Sequence, residues 1–174
     1  MADLYIGWSE YHQKIERLAA QIYHSGWEFN QIVCIAKGGL RVGDLMARIY
    51  DRPLAIVSAS SYGGPSGQER GALKIAPTLT ATRDRLGTQV LLVDDLVDSG
   101  ISLREMQKWL WDRYGDEIEE IRTAVIWYKA NSIVKPDYYV DYLPDNPWIH
   151  QPFEPYERMT PAELAAQYEP TSPH

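Results

Sequence analysis

Apolar and polar positions fall into blocks along the chain, and the blocks change period. Ile15, Leu18, Ala19 and Ile22 recur with the spacing of one helix face, with Ser9 as a candidate N-cap and Gly26 as a stop. Ile32-Val33-Cys34-Ile35-Ala36 follows as a short continuous apolar run, which fits a strand covered on both faces. The run breaks at Lys37-Gly38-Gly39, and residues 40–50 return to helical spacing. Residues 54–60 predict a second strand. Residues 61–71 are rich in glycine, serine and charge, contain Pro65, and predict a long loop. Thr88-Gln89-Val90 opens a third strand, 103–114 an amphipathic helix, 121–127 a fourth strand and 138–142 a fifth. From Pro144 onward, prolines and aromatics crowd the chain and predict an irregular tail. Within that tail residues 159–168 fit a helix, with Thr160 as cap and Pro161 in the first turn. Strand–helix alternation predicts an α/β fold with a mostly parallel central sheet flanked by helices. Ligands of such sheets bind at the carboxyl ends of the strands.

Composition narrows the class. The length of 174 residues suits one domain, with a core over about 5–143 and a tail over about 144–174. At 45% hydrophobic residues the chain can bury a core. The net charge of -7 argues against a surface built for nucleic acid or anionic membrane, though a small anion can still bind where the charge is locally positive. The single cysteine, Cys34, sits in an apolar run and reads as a small buried hydrophobe; a reducing, cytoplasmic setting is expected. No basic stretch followed by an apolar one opens the sequence, so no signal peptide is expected, and no apolar run approaches membrane-spanning length. The four histidines lack metal-ligand spacing.

The most informative run is Val90-Leu91-Leu92-Val93-Asp94-Asp95-Leu96-Val97-Asp98-Ser99-Gly100-Ile101-Ser102. An apolar strand ends in two adjacent carboxylates. A third carboxylate follows, then a small hydroxyl and a glycine, then a helix. Acids at a strand end can hold hydroxyls and a hard cation, and free amides at a helix start can hold a phosphate. A ribose phosphate needs both, side by side. Ala36-Lys37-Gly38-Gly39 ends another strand with a cation and with backbone that a ligand can approach closely. In a parallel sheet both loops face the same edge. No Gly-Lys-Ser/Thr run follows a strand, which removes a Walker-type nucleotide loop.

The run 90–102 resembles the phosphoribosyl-pyrophosphate (PRPP) motif of the type I phosphoribosyltransferases. Ile35-Ala36-Lys37-Gly38-Gly39-Leu40 is similar to that family's pyrophosphate loop. Ser60-Ser61-Tyr62 and the polar loop after it are similar to its flexible hood. Tyr128-Lys129 and Trp148-Ile149-His150-Gln151-Pro152-Phe153-Glu154 are similar to the base pocket of the bacterial xanthine-guanine enzymes and their archaeal purine relatives, the 6-oxopurine branch. The resemblance runs in order from about Tyr5 to Glu154.

The resemblance implies the family fold, with a small hood from the C-terminal tail, and a transfer of phosphoribosyl from PRPP to guanine, xanthine or hypoxanthine in purine salvage. Pyrophosphate and a nucleoside 5′-monophosphate would be the products, and Mg²⁺ the cofactor. It implies that Asp94 and Asp95 accept the ribose hydroxyls, and that Asp95 serves the Mg²⁺ directly or through water. Ser99, Gly100, Ile101 and Ser102 would wrap the 5′-phosphate. Lys37, Gly38, Gly39 and Arg70 would meet pyrophosphate, with Lys74 as an alternative to Arg70. It further implies a cis peptide at Ala36–Lys37. Asp98 would be the catalytic residue, also bound to PRPP and base, trading a proton with the purine N7. Lys129 would donate to O6, and Trp148 and Ile149 would cover the ring. A homodimer or homotetramer is expected. Two other readings stay open from sequence: a nucleotide-sensing regulator on the same fold, and a transferase acting on a pyrimidine.

Overall fold

The computed structural model describes residues 3–61 and 73–168. Contacts divide the chain into two compact units, Gln13–Asn146 and the pair of termini Met1–His12 with Pro147–His174.

In order along the chain the elements are β1 (Leu4–Tyr5), α1 (Trp8–His24), β2 (Gln31–Ala36), α2 (Leu40–Tyr50), β3 (Leu54–Ser61) and β4 (Leu73–Ile75). Then come β5 (Gln89–Val93), β6 (Leu96–Val97), α3 (Ile101–Tyr114), β7 (Glu120–Lys129), β8 (Tyr138–Leu143), β9 (Ile149–His150), α4 (Glu154–Arg158) and α5 (Pro161–Gln167). The predicted α/β fold is the observed one. The helix expected to be capped by Ser9 begins at Trp8, where the Tyr11 amide donates to the Gly7 carbonyl, so Ser9 lies inside the first turn. Its predicted stop holds: Gly26 has φ +72°, a conformation glycine adopts without a Cβ penalty.

In the larger unit the sheet runs β4-β3-β2-β5-β7, with the short β6 and β8 also paired to β7. Among these strands of the described residues, every pairing is parallel except β3 with β4. From β2 the chain adds β3 on one side, then β5, β7 and β8 on the other, so the winding reverses between β2 and β5. A crevice forms at such a reversal, outside the carboxyl ends of the two strands. Here those ends are Ala36 and Val93, which follow directly from the register Cys34 opposite Val93.

The sheet is buried because its strands are apolar on both faces. Ile32, Val33 and Cys34 of β2 and Val90 to Val93 of β5 are shut from solvent. Val33, Ile35, Val57, Leu92 and Val125 join Leu103, Met106 and Leu110 of α3 in one cluster. Burial and the nearby Asp94 charge push the Cys34 thiol up to about 12, so it stays a neutral packing group at ordinary pH. On the opposite side of β2, Gly43 lets α2 settle close. A Cβ there would stand 2.6 Å from the Cys34 Cβ.

In the unit of the termini, β1 pairs in parallel with β9, Leu4 opposite Ile149 and Tyr5 opposite His150. The expected helix near 159–168 is α5. Thr160 accepts from the Glu163 amide, and Glu163 returns the bond to Thr160, a full capping box. The tail is less irregular than its prolines suggested, since α4 and β9 also form in it. No helix among the described residues is long and apolar enough to cross a membrane.

Candidate active site

The acid pair and the glycine turn meet at the reversal of the sheet. β5 ends at Val93, so Asp94 and Asp95 leave the strand at its carboxyl end. The backbone there remains tied to β7: the Asp94 amide donates to the Ala124 carbonyl at 3.2 Å, and the Ile126 amide donates to the Asp95 carbonyl at 3.0 Å. The turn after β2 packs straight onto them. A Cβ on Gly38 would lie 2.8 Å from the Asp95 Cγ and 3.0 Å from the Asp94 Oδ1. A Cβ on Gly39 would lie 2.6 Å from the Val93 carbonyl oxygen. Both glycines are therefore needed for close approach and not for unusual φ. Lys37 is exposed beside them, and the Ala36–Lys37 peptide is cis, as the sequence resemblance implied.

Asp94 is half-buried and accepts the amide of Asp95 on its Oδ1 at 2.9 Å. Loss of solvent holds its carboxyl well above the usual carboxylate range, and the charge on Asp95 adds to the rise. A cation or hydroxyl donors brought to this pair would offset the cost of charging it.

The third acid and the helix start lie on the same loop. Asp94–Gly100, Ser102 and Leu103 line a cavity of about 170 Å³. Gly100 is the N-cap of α3 with φ +78°, and the Ile101 amide reaches the Ser99 Oγ only at a long 3.4 Å. The first-turn amides of α3 thus face the loop without a strong side-chain cap, which suits an oxyanion. Asp98 is exposed. Its Oδ1 accepts from the Asn131 Nδ2 at 3.0 Å and stands 3.7 Å from the Nζ of Lys129. Lys129, the last residue of β7, is 6% exposed, so its charge is sheltered and faces that acid.

Structure thus brings together Gly38, Gly39, Asp94 and Asp95 at one crevice, and Asp98, Ser99, Gly100, Ile101, Ser102 and Lys129 along the adjoining loop. Arg70 lies outside the described residues. Lys74 is exposed on β4, opposite Ser60. Trp148 and Ile149 belong to the unit of the termini; Trp148 is exposed and Ile149 is buried in β9. A larger groove of about 780 Å³ opens in that same unit, lined by residues of both charges, Arg158 with Glu154 and Glu163.

Sequence reasoning missed the β7–β8 turn. Asn131 binds Asp98, the Ile133 amide donates to the Ser99 carbonyl at 2.9 Å, and the Cβ position of Gly100 is closed off by Ser132 and Val134. The signal was available: Asn131 follows the carboxyl end of a parallel strand, on the edge where ligands bind.

A family model described as a phosphoribosyl transferase domain matches residues 7–158. The xanthine-guanine phosphoribosyltransferase of Idiomarina loihiensis is 25% identical over 153 residues, covering 87% of each chain. That of Gluconobacter oxydans is 26% identical over 165 residues, covering 94% of this chain and 92% of its own. Among solved structures, the purine phosphoribosyltransferase of Pyrococcus horikoshii superposes with a TM-score of 0.70 at 27% identity, over 88% of this chain and 95% of that one. The Helicobacter pylori xanthine-guanine-hypoxanthine phosphoribosyltransferase gives 0.70 at 26% identity, over 85% and 91%. With a domain match of that extent and relatives aligned along most of their own lengths, the chain belongs to the phosphoribosyl transferase domain family.

Proposed function

We propose that this protein transfers the phosphoribosyl group of PRPP to a 6-oxopurine, giving a nucleoside 5′-monophosphate and pyrophosphate in purine salvage. The observation that carries the reading is the seating of Gly38 directly against Asp94 and Asp95, which leaves one crevice for a sugar that bears both hydroxyls and pyrophosphate. The names and coverage of the relatives support the purine branch.

In this reading the amides and hydroxyls of Ser99 to Ser102 hold the 5′-phosphate, and Asp94 and Asp95 accept the ribose hydroxyls. The turn Lys37-Gly38-Gly39 lies along pyrophosphate, with Arg70 as a second cation. Mg²⁺ takes one or two carboxylates and otherwise prefers water and phosphate oxygens. The adjacent pair Asp94 and Asp95 fits that donor set, and no group of three or more ligating side chains gathers among the described residues. Asp95 would hold the ion, which when bound supplies positive charge to the departing pyrophosphate.

The bond that forms joins C1′ to a ring nitrogen, and the bond that breaks joins C1′ to the pyrophosphate oxygen, whose electron pair leaves with pyrophosphate. Asp98 takes the proton that the purine gives up at N7. Lys129 donates to O6, so a 6-amino purine would leave that donor unpaired at a cost of about 1–3 kcal/mol. Trp148 and Ile149 are carried as base contacts on the resemblance alone. Exposed Tyr23, Trp111 and Tyr142 suit a homodimer or homotetramer, which sedimentation would read directly.

The test is turnover of guanine, xanthine, hypoxanthine, adenine, uracil and orotate with PRPP and Mg²⁺, beside Asp98→Asn. Expected are nucleotide formation from a 6-oxopurine and a fall in kcat for the variant of about 10²-fold or more, with PRPP affinity little changed. Consumption of uracil or orotate in place of purine would sink the base assignment.

A further inference from the structure

We propose that Asn131 is a positioning residue for the transfer, acting through Asp98; this rests on the assignment of Asp98 as the proton acceptor. The Asp98 side chain is exposed, and an exposed carboxylate with no partner would sample several rotamers. Among the described residues two groups reach it, and both reach the same oxygen. The Asn131 amide donates to Oδ1 at 3.0 Å, a full hydrogen bond, while the Lys129 ammonium stands at 3.7 Å from Oδ1, beyond hydrogen-bond range. Oδ2 takes no hydrogen bond from any described residue. One oxygen is thereby held and the other is left for a ligand.

The two partners do different things. Lys129 is a compact charge on a flexible stem and supplies potential without direction. A planar amide at 3.0 Å supplies direction. Asn131 is itself fixed from the far side: its backbone amide donates at 3.1 Å to the Oδ1 of Asn146, whose backbone is left-handed at φ +50°. Beside it, Ser132 folds back on its own turn, with its Oγ donating to the Val134 carbonyl at 2.6 Å. The next residue ties this turn to the PRPP loop, the Ile133 amide donating to the Ser99 carbonyl. The β7–β8 turn is thus a brace that carries the orientation of Asp98 from the end of the sheet.

The test compares Asn131→Ala and Asn131→Asp with the parent in steady-state transfer, in thermal melting, and in the Asp98→Asn background. Asn131→Asp keeps shape and replaces the donor by a like charge. Expected is a fall in kcat on the order of 10-fold to 100-fold, as for other lost orienting contacts, larger for Asn131→Asp than for Asn131→Ala. KM for PRPP should stay within about twofold and the melting temperature should be unchanged, because Asn131 is exposed. In the Asp98→Asn background the same changes should add nothing further, since a residue acting only through Asp98 has nothing left to orient. Unchanged kcat in both single variants overturns the proposal, as does a loss that multiplies with Asp98→Asn or that tracks a drop in melting temperature. Full turnover in Asp98→Asn alone would instead remove the assignment beneath it, and that is read in a separate enzyme.

Discussion

Asp94 and Asp95 adjoin in sequence, yet their surroundings treat them differently. Burial and the Asp95 charge raise the Asp94 carboxyl well above its ordinary value near 3.8, so the folded chain binds a proton there that the unfolded chain has lost. Stability then falls as pH rises from about 4 through the raised value, because over that window the native state holds more protons than the unfolded one. Asn at this position keeps the shape and cannot ionise. In buffer free of divalent cation, Asp94→Asn should therefore melt close to the parent near pH 4 and above it near pH 7, while binding PRPP less tightly. A melting difference that is constant across the range would contradict the linkage. The glycine opposite gives the complementary test. Gly38→Ala must displace a carboxylate carbon that lies 2.8 Å from the new methyl, and overpacking of this kind costs about 1–3 kcal/mol. Spent at Asp95, that is about 10-fold to 100-fold in PRPP affinity by titration calorimetry. An alanine enzyme with native PRPP affinity would show that the crevice yields more easily than its geometry implies.

At the scale of elements, α2 on β2 is decided by one residue. Gly→Ala inside a helix ordinarily gains up to about 1 kcal/mol from propensity. At Gly43 the new methyl would meet the Cys34 Cβ at 2.6 Å, and a Cβ is fixed to its backbone and cannot swing clear like the tip of a long side chain. The clash, about 1–3 kcal/mol, outweighs the propensity gain. Gly43→Ala should lower the urea midpoint; a raised midpoint would reverse the sign of the argument. The strands that meet at this site were legible because both of their faces are apolar: β2, β5 and β7 stand out as runs, and the acids after Val93 stand out against them. β4 and β6 were not legible. Three residues, Leu73–Ile75, and two, Leu96–Val97, are too short to carry a period, and they form because a neighbouring strand offers its edge. Asn131 was hidden for a related reason. A polar residue in a turn looks like ordinary loop chemistry until the fold brings it to Asp98, 33 positions away.

On the scale of the whole molecule, sequence order hides the unit in which the N-terminal strand completes the C-terminal tail. Residues near 4 and near 149 pair through the Leu4 amide to the Trp148 carbonyl and the Ile6 amide to the His150 carbonyl. Two strands of two residues are marginal by themselves, so side chains must hold them. His150 stacks on Tyr5 at 4.3 Å, and its ring nitrogens face Asp3 at 3.0 Å and Glu154 at 3.3 Å. The hydrogen bond to Asp3 raises the imidazole above its usual 6.5, with Glu154 adding to the rise and partial burial opposing it. A group raised in the folded state contributes stability that is complete below 6.5 and disappears as pH climbs through the folded value. Protection of the Leu4 and Ile6 amides against hydrogen exchange, corrected for intrinsic rates, should therefore fall as pH passes upward through the His150 titration followed by NMR. Asp3→Asn should move that titration back towards 6.5 and carry the loss of protection with it. Protection that is flat across the His150 titration, or that shifts independently of it in Asp3→Asn, would mean that β1 and β9 are held by their backbone and aromatic contacts and not by the charge between the two ends of the chain.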